Sequence, residues 1–200
     1  MIASLLSNRP KARSAADTLR AHGLDPAVLA HPLGYGVVTL HRPSNVDDAG
    51  ILAGLLDVLR QVSGRLPLVF ALHPRTRSNI ERFGLAGRID PARMLMLPPQ
   101  GYLEMVGLMS GATLVLTDSG GLQEETTALG VPCLTLRENT ERPVTIDEGS
   151  NVLVGTDPAR IREEAAKVLA GQGNQGRRPL LWDGKAAERI VAELDRLIQG

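Results

Sequence analysis

The sequence TLVLTDSGGLQEETTALGV, residues 113–131, places a strand, a glycine turn and a helix in direct succession. The apolar run 113–117 is typical of a buried strand, and residues 121–129 have the spacing of a helix. A helix N-terminus offers unpaired N–H groups and a positive dipole end, which suit phosphate oxygens. A Gly-Gly pair also forms plain tight turns, so this turn by itself leaves phosphate binding and a purely structural role equally open.

Strand and helix alternate in the same way on both sides of this stretch. Further strands are predicted at 36–40, 68–72, 94–97, 132–136 and 151–154, and further helices at 47–61, 75–83, 102–109, 158–169 and 185–198. The strands are apolar along nearly their whole length, as strands are when helices cover both faces of a parallel sheet. We therefore predict an α/β fold, a Rossmann-like parallel sheet with helices on both faces.

The chain divides into three parts by composition and pattern. Residues 1–34 are predicted to form an N-terminal helix and a linker that connects from a lobe outside this sequence. Residues 35–170 carry the strand–helix units. Residues 171–200 are predicted to form a glycine-rich loop and a closing C-terminal helix. With 200 residues, the chain is long enough for one domain with its own core.

Composition excludes several classes of protein. Apolar residues make up 43% and charged residues 22%, which indicates a globular chain rather than a disordered one. Lysine and arginine together number 22, as do aspartate and glutamate, so neither a nucleic-acid surface nor a polybasic membrane anchor is expected. The single cysteine, Cys133, cannot form an internal disulfide. No apolar run is long enough to span a membrane, and a soluble cytoplasmic protein is expected.

Polar residues follow five predicted strands, at the edge of the sheet where ligands of open parallel sheets bind. They include His41, Arg42, His73, Gln100, Ser119, Gly120, Gly121, Arg137 and Arg142. Because the carboxyl ends of parallel strands meet at one edge, these residues are expected to lie together. Their number is hard to explain by solubility, and it predicts a binding site at this edge.

The two glutamates that open the helix at 121–129 are distinguished by their rotation about the helix axis. At about 100° per residue, Glu125 falls about 60° from Leu122, whereas Glu124 falls about 160° away. We therefore predict that Glu125 borders the packed face, where its carboxylate can hold two ribose hydroxyls. Glu124 is expected to point to water and to act only through the helix dipole.

The arginines and histidines each have two interpretations. Arg142 and Arg137 either pair with diphosphate oxygens or form surface salt bridges, with Glu138 or Glu141 as the partner of Arg142. The histidines that end two strands are either structural or pocket groups for acid–base and phosphate contacts. No carboxylate or cysteine stands at metal-ligand spacing from them, so neither a metal nor a cofactor is predicted.

The chain resembles the non-hydrolysing UDP-N-acetylglucosamine 2-epimerases in the segments VTLHRPSNVDD, ALHPRT, PPQGYLEMVGLM, LVLTDSGGLQEETTALGVPCLTLRENTERPVT and GSNVLVGTD. The resemblance extends over about residues 36–160, and residues 184–190 look like the closing helix of the family. DSGGLQEE followed by TERP is highly specific in combination. The resemblance implies a two-lobed fold of the glycosyltransferase-B type, of which this chain is the C-terminal lobe.

The same resemblance implies that this lobe binds UDP and UDP-N-acetylglucosamine, and it assigns roles to single residues. It places Ser119, Gly120 and Gly121 on the diphosphate, Glu125 on the ribose, Arg142 on phosphate, the stretch from Gln100 to Met105 along the uracil, and His41, Arg42 and His73 in the cleft, with His41 as the catalytic residue. The HPRT turn differs from the sequence associated with an activator site, so no second UDP-sugar site is implied.

The implied reaction inverts C2 of UDP-N-acetylglucosamine to give UDP-N-acetylmannosamine for polysaccharide biosynthesis, by elimination and re-addition of UDP. The acidic residues thought to move the C2 proton lie in the N-terminal lobe of the family, so this chain is expected to be inactive alone. A hydrolysing epimerase, the lobe of another UDP-sugar transferase and a non-catalytic UDP-sugar-binding module remain open. The oligomeric state also remains open, a homodimer included.

Overall fold

The computed structural model describes residues 1–199, which form a six-stranded parallel sheet flanked by helices. The strands are β1 (Gly36–Thr39), β2 (Leu68–Ala71), β3 (Met94–Leu97), β4 (Leu114–Thr117), β5 (Cys133–Thr135) and β6 (Asn151–Leu153). Their order across the sheet is β3-β2-β1-β4-β5-β6, and all neighbours are parallel. The predicted α/β fold with a parallel sheet is confirmed.

The described part of the chain contains ten α-helices. They are α1 (Ile2–Asn8), α2 (Ala15–Ala21), α3 (Pro43–Val46), α4 (Ala49–Ser63), α5 (Pro74–Arg82), α6 (Tyr102–Ser110), α7 (Gly120–Leu129), α8 (Val144–Asp147), α9 (Pro158–Leu169) and α10 (Ala186–Gln199). Every helix predicted after residue 35 is present with bounds within two residues. None of the described helices combines the length and apolar composition that a membrane crossing requires.

Both faces of the sheet are buried, because successive strand residues point to opposite sides. Val38 and Phe70 belong to a core beneath α4 and α9, whereas Val37 and Val69 belong to a second core beneath α2 and α6. All four side chains are fully buried. This two-sided burial explains why the strands have no polar alternation.

The N-terminal segment differs from the single helix that we predicted. It forms two helices, because a 3-10 turn at Arg9–Lys11 with Pro10 in its second position interrupts the helical path. Leu5 and Leu19 are fully buried, and Leu5 packs with Val106 and Ala128 of the sheet domain. Residues 1–34 therefore pack against this domain along much of their length.

Two short helices, α3 and α8, lie in segments where no helix was predicted. Each has only four residues and follows a strand end, and Pro43 and Pro143 stand at or just before the first helical position. Helices this short carry almost no apolar periodicity, which is why the pattern did not reveal them. Both lie at the carboxyl edge and shape the loops that carry polar residues.

Candidate functional site

The strand order reverses direction at β1 and β4, and this switch point is where open α/β sheets bind ligands. The two strands are paired from Gly36 with Leu114 to Thr39 with Thr117. Their last residues are also tied through side chains, because the Thr39 and Thr117 hydroxyl oxygens lie 2.6 Å apart. The loops that follow β1 and β4 therefore begin at two adjacent strand ends that are held together by hydrogen bonds.

Asp118, directly after β4, organises the loop after β1. Its carboxylate is fully buried and accepts hydrogen bonds from the backbone N–H groups of His41, at 2.9 Å, and Arg42, at 2.8 Å. The Asn45 side-chain amide donates to it at 3.2 Å. Nδ1 of the His41 ring lies 2.8 Å from Oδ1 of the same carboxylate. Asp118 thus fixes both the loop and the imidazole, a role that the sequence analysis did not assign.

The glycine turn begins α7, and its Ser119 backbone is hydrogen-bonded to Thr117 and Gln123. Ser119 is the N-cap residue, but its side chain forms no capping hydrogen bond. Neither Gly120 nor Gly121 has a positive φ, so the backbone conformation does not require glycine. A methyl group at Gly120 would come no closer than 3.9 Å to any protein atom, and one at Gly121 no closer than 3.7 Å. Packing within the described chain therefore does not explain either glycine.

A cavity of about 200 Å³ opens at this edge of the sheet. It brings together five of the predicted site residues: His41, His73, Gln100, Met105 and Ser119. Pro99 and Leu122 complete an apolar part of its wall. Apolar walls with a few polar groups are typical of small-molecule sites.

The two histidines of this cavity lie side by side. Their ring centroids are 5.8 Å apart, with the ring planes tilted by 43°. His73 is the N-cap of α5, and its Nδ1 accepts the N–H of Arg75 at 3.2 Å. The His41 ring is thus held by its 2.8 Å contact with Asp118 and the His73 ring by a hydrogen bond, and His41 remains 37% exposed at the cavity.

Arg42 is placed elsewhere. It lines a neighbouring cavity of about 370 Å³, on the β5 side of the loop, together with Arg137, Asn139 and Thr156. Its Nε is buried without a hydrogen-bond partner in the described chain. The structure therefore brings His73 next to His41, but places Arg42 in a separate, more polar cavity.

The prediction that Glu124 points to water is wrong. Its side chain is only 18% exposed, and Oε2 lies 3.1 Å from Nε of Arg142. The orientation of the two groups is not that of a hydrogen bond, so they form an ion pair held by charge. The rotation argument considered only the sheet beneath α7, whereas the loop after β5 covers this side of the helix.

The partners proposed for Arg142 were also wrong. Glu141 instead pairs with Arg137, whose guanidinium nitrogens lie 2.8 and 3.0 Å from the two carboxylate oxygens. This pairing is the largest of the causes that lower the pKa of Glu141 to about 2. Arg142 does not pair with Glu138 or Glu141 because its side chain points toward α7. This contact joins segments that are distant in sequence.

Glu125 is buried, with 6% of its surface exposed, as the rotation argument predicted. Burial raises the pKa of its carboxyl above the usual value of 4.5, with the Tyr102 hydroxyl lowering it and the like charge of Glu124 raising it further. Burial and the neighbouring Glu125 charge raise the pKa of Tyr102 to about 12. Glu125 is not among the residues that line the cavity of about 200 Å³. An ionised carboxylate is nevertheless a strong acceptor for hydroxyl groups.

Two helix N-caps provide a first test of this geometry. Asp157 caps α9 by accepting the N–H of Ala159 at 2.9 Å, whereas Ser119 caps α7 without a side-chain hydrogen bond. Asp157→Ala is expected to lower the free energy of unfolding by about 1 kcal/mol. Ser119→Ala is expected to change it far less. Urea denaturation measures both values, and equal losses would show that Ser119 has a capping role after all.

Comparisons with known proteins agree on one family. The family model described as UDP-N-acetylglucosamine 2-epimerase matches residues 1–195. The UDP-N-acetylglucosamine 2-epimerase of Methanococcus maripaludis is 42% identical over 155 residues, which cover 72% of this chain and 42% of that protein. The UDP-2,3-diacetamido-2,3-dideoxy-D-glucuronate 2-epimerase of Pseudomonas aeruginosa is 39% identical over 173 residues, or 86% of this chain and 47% of that protein. The chain spans about half the length of the curated relatives it matches.

Solved structures show the same relationship. The UDP-GlcNAc 2-epimerase of Methanocaldococcus jannaschii superposes with a TM-score of 0.78 at 32% identity, over 98% of this chain and 54% of that one. The structure of the same enzyme in complex with UDP-GlcNAc and UDP has a TM-score of 0.72 at 33% identity, over 91% of this chain and 52% of that one.

Proposed function

This chain belongs to the UDP-N-acetylglucosamine 2-epimerase family, and from that premise we propose that it is a UDP-binding lobe of such an enzyme. One observation carries the proposal: at the β1–β4 switch point, the Ser119 hydroxyl makes no capping hydrogen bond and neither glycine is required by packing within residues 1–199. A diphosphate is the ligand that such a turn accepts best, because the first N–H groups of α7 and the helix dipole both favour negative charge.

The remaining contacts of UDP follow from this anchor. The uracil lies against Gln100 and Met105 in the apolar part of the cavity. Glu125 accepts hydrogen bonds from the ribose hydroxyls. Arg142 leaves its ion pair with Glu124 and contacts a phosphate, since the two residues lie beside the first turn of α7. His41 faces the sugar.

The reaction that fits this site is the interconversion of UDP-N-acetylglucosamine and UDP-N-acetylmannosamine. A base removes the proton on C2 while the bond between C1 and the diphosphate oxygen breaks, and UDP leaves with the electron pair. The C2 of the unsaturated sugar is then protonated from the other face, and UDP adds back to C1. The contribution of this lobe is to stabilise the departing diphosphate and to place His41 beside the reacting sugar.

The proposal includes a further lobe that faces this site and completes the cleft. Asp118 at this edge already accepts three hydrogen bonds and contacts His41, and Glu125 is assigned to the ribose. Glu124 and Glu141 are paired with arginines, so the described chain offers no free pair of carboxylates here for the C2 proton. We place the acid and base on a further lobe, supplied in cis or in trans. The 200-residue chain by itself is therefore expected to bind UDP without turnover.

A uronate substrate is the second candidate, and one observation favours it. Arg42 and Arg137 line the cavity of about 370 Å³ next to His41, and Arg42 Nε has no protein partner in the described chain. A guanidinium binds a carboxylate through paired hydrogen bonds. The relative from Pseudomonas aeruginosa is a 2-epimerase of a glucuronate sugar, so the C6 group of the sugar is the feature to vary.

Calorimetric titration of the 200-residue chain with UDP tests the proposal, with ADP as the matched control. UDP is expected to bind, and ADP to bind at least about tenfold more weakly, because adenine presents a different hydrogen-bonding edge from uracil to Gln100 in the cavity wall. Ser119→Ala is expected to weaken UDP binding by about 0.5–1.5 kcal/mol, the value of one hydrogen bond. Equal affinity for both nucleotides would contradict the uracil assignment, and no binding would contradict the proposed function.

Product analysis of a complete two-lobed protein distinguishes the remaining activities. Formation of UDP-N-acetylmannosamine supports epimerisation, whereas free N-acetylmannosamine supports a hydrolysing enzyme. A protein that binds UDP-sugars without either product is a binding module. Faster turnover of a UDP-uronate than of UDP-N-acetylglucosamine would select the second candidate.

A further inference from the structure

The two imidazoles of the cavity use the same ring nitrogen in opposite ways. Nδ1 of His41 lies 2.8 Å from the Asp118 carboxylate, which has only lone pairs to offer, so this nitrogen carries the proton. Nδ1 of His73 accepts the N–H of Arg75 at 3.2 Å, so this nitrogen carries a lone pair. A neutral imidazole has one donor and one acceptor, and the bond at Nδ1 therefore decides what Nε2 offers.

We infer that Asp118 is a positioning residue that fixes His41 as the Nδ1–H tautomer. The wall of the cavity then presents a hydrogen-bond acceptor, Nε2 of His41, next to a hydrogen-bond donor, the Nε2–H of His73. No protein group within residues 1–199 forms a hydrogen bond with Nε2 of either ring. The two rings lie 5.8 Å apart, close enough to bind neighbouring groups of one ligand.

The nature of the ligand rests on the proposed function. An acceptor at His41 takes a hydroxyl or an amide N–H, and a donor at His73 takes an oxygen. An N-acetylated sugar joined to a diphosphate carries both kinds of group. The pair therefore selects the orientation of the sugar, in addition to the contacts that hold UDP.

The surroundings of Asp118 separate this role from a purely structural one. Four groups converge on its carboxylate: two backbone N–H groups and the Asn45 amide, which donate hydrogen bonds, and the His41 ring, whose Nδ1 lies 2.8 Å away. An asparagine at 118 would direct its own NH2 group toward one of these donors. Among the four, only the imidazole can respond by moving its proton to the other nitrogen. Asp118→Asn is therefore expected to switch His41 to the Nε2–H tautomer, as the equivalent change does in a catalytic triad.

Long-range proton–nitrogen correlation spectra of the 15N-labelled chain measure the tautomers directly, at about pH 8, where imidazoles are neutral. His41 is expected as the Nδ1–H form. His73 is expected as the Nε2–H form, together with His31, whose Nδ1 accepts the N–H of Leu33 at 3.2 Å. His41→Asn and His73→Asn assign the signals. An Nε2–H form of His41 in the wild-type chain would overturn the inference, whether or not Asp118→Asn folds.

The variants extend the test. In folded Asp118→Asn, His41 is expected to change tautomer while His31 and His73 do not, and an unchanged His41 would contradict the role of Asp118. Arg75→Pro removes the N–H that holds His73 and is expected to release its tautomer preference. Arg75→Ala keeps that N–H and is the matched control, because both changes remove the ion pair with Asp47.

Ligand titration tests the second half of the inference. Asp118→Asn is expected to weaken UDP-N-acetylglucosamine binding about two- to tenfold more than it weakens UDP binding, the effect of one hydrogen bond to the sugar. A changed tautomer with an unchanged ratio of affinities would show that His41 does not contact the sugar. A chain that binds neither ligand would contradict the proposed function and leave the tautomer result as it stands, because the spectra are recorded without ligand.

Discussion

Gly120→Ala is expected to weaken UDP binding by about 100-fold while leaving the fold intact. Gly120 is the first residue of α7, its φ is not positive, and an added methyl group would come no closer than 3.9 Å to a protein atom. Alanine in a helix is favoured over glycine by roughly 0.5–1 kcal/mol, so the melting temperature is expected to stay constant or to rise. The methyl group is instead expected to occupy the space of the proposed diphosphate.

The loss of affinity has a steric cause. Oxygen atoms of a bound diphosphate would lie at hydrogen-bond distance from the first N–H groups of α7, where the new methyl group stands. Overpacking of this kind costs about 1–3 kcal/mol, which corresponds to roughly 5- to 150-fold in affinity. Calorimetry with UDP and thermal unfolding of the same preparation measure the two effects.

Gly130→Ala is the matched control. Gly130 ends α7 with a φ of +73°, a left-handed conformation that costs an alanine roughly 1–2 kcal/mol. This variant is expected to lose stability and to keep its affinity for UDP, the reverse of Gly120→Ala. A stability loss in Gly120→Ala with unchanged UDP binding would show that this glycine serves the fold rather than a ligand.

The strands were predictable because burial on both faces of the sheet requires a nearly continuous run of apolar residues. Each predicted strand lies within one residue of the observed one at either end. The conclusion that several loops meet at one edge followed directly from parallel strands. It brought His41, His73 and Ser119 to a common cavity.

Contacts between segments that are distant in sequence were not predictable in the same way. Asp118 acts on residues more than 70 positions earlier, and this pairing depends on β1 lying next to β4. The ion pair of Glu124 with Arg142 depends on the path of the loop after β5. A rotation angle describes the faces of one helix only. It therefore placed Glu125 correctly, but it carried no information about the loop that covers Glu124.

Glu125→Gln is expected to stabilise the free protein near neutral pH and to weaken its binding of UDP. Burial raises the pKa of this carboxyl in the folded protein. The folded state therefore binds a proton more readily than the unfolded chain, and stability falls as the pH rises from the usual value of 4.5 through the raised pKa. Glutamine carries no charge, so this loss of stability is expected to be absent in the variant.

The difference in unfolding free energy between Glu125→Gln and the wild type is thus expected to be larger at pH 8 than at pH 4. Urea denaturation at both values measures it. Glu124→Gln is the matched control. The Glu124 carboxylate is paired with Arg142, so removing its charge breaks a favourable ion pair rather than removing an unpaired buried charge. That variant is expected to show no comparable gain in stability at pH 8.

Binding is expected to change in the opposite direction from stability. An ionised Glu125 that accepts two ribose hydroxyls forms charge-assisted hydrogen bonds worth about 1.5–3 kcal/mol, so Glu125→Gln is expected to weaken UDP binding roughly 10- to 150-fold. The deoxyribose analogue of UDP lacks one of these hydroxyls and is expected to lose less affinity on the same substitution. An equal loss for both nucleotides would place Glu125 away from the ribose. A variant that is more stable yet binds poorly would show that the buried charge is retained for the ligand, at a cost to the free protein.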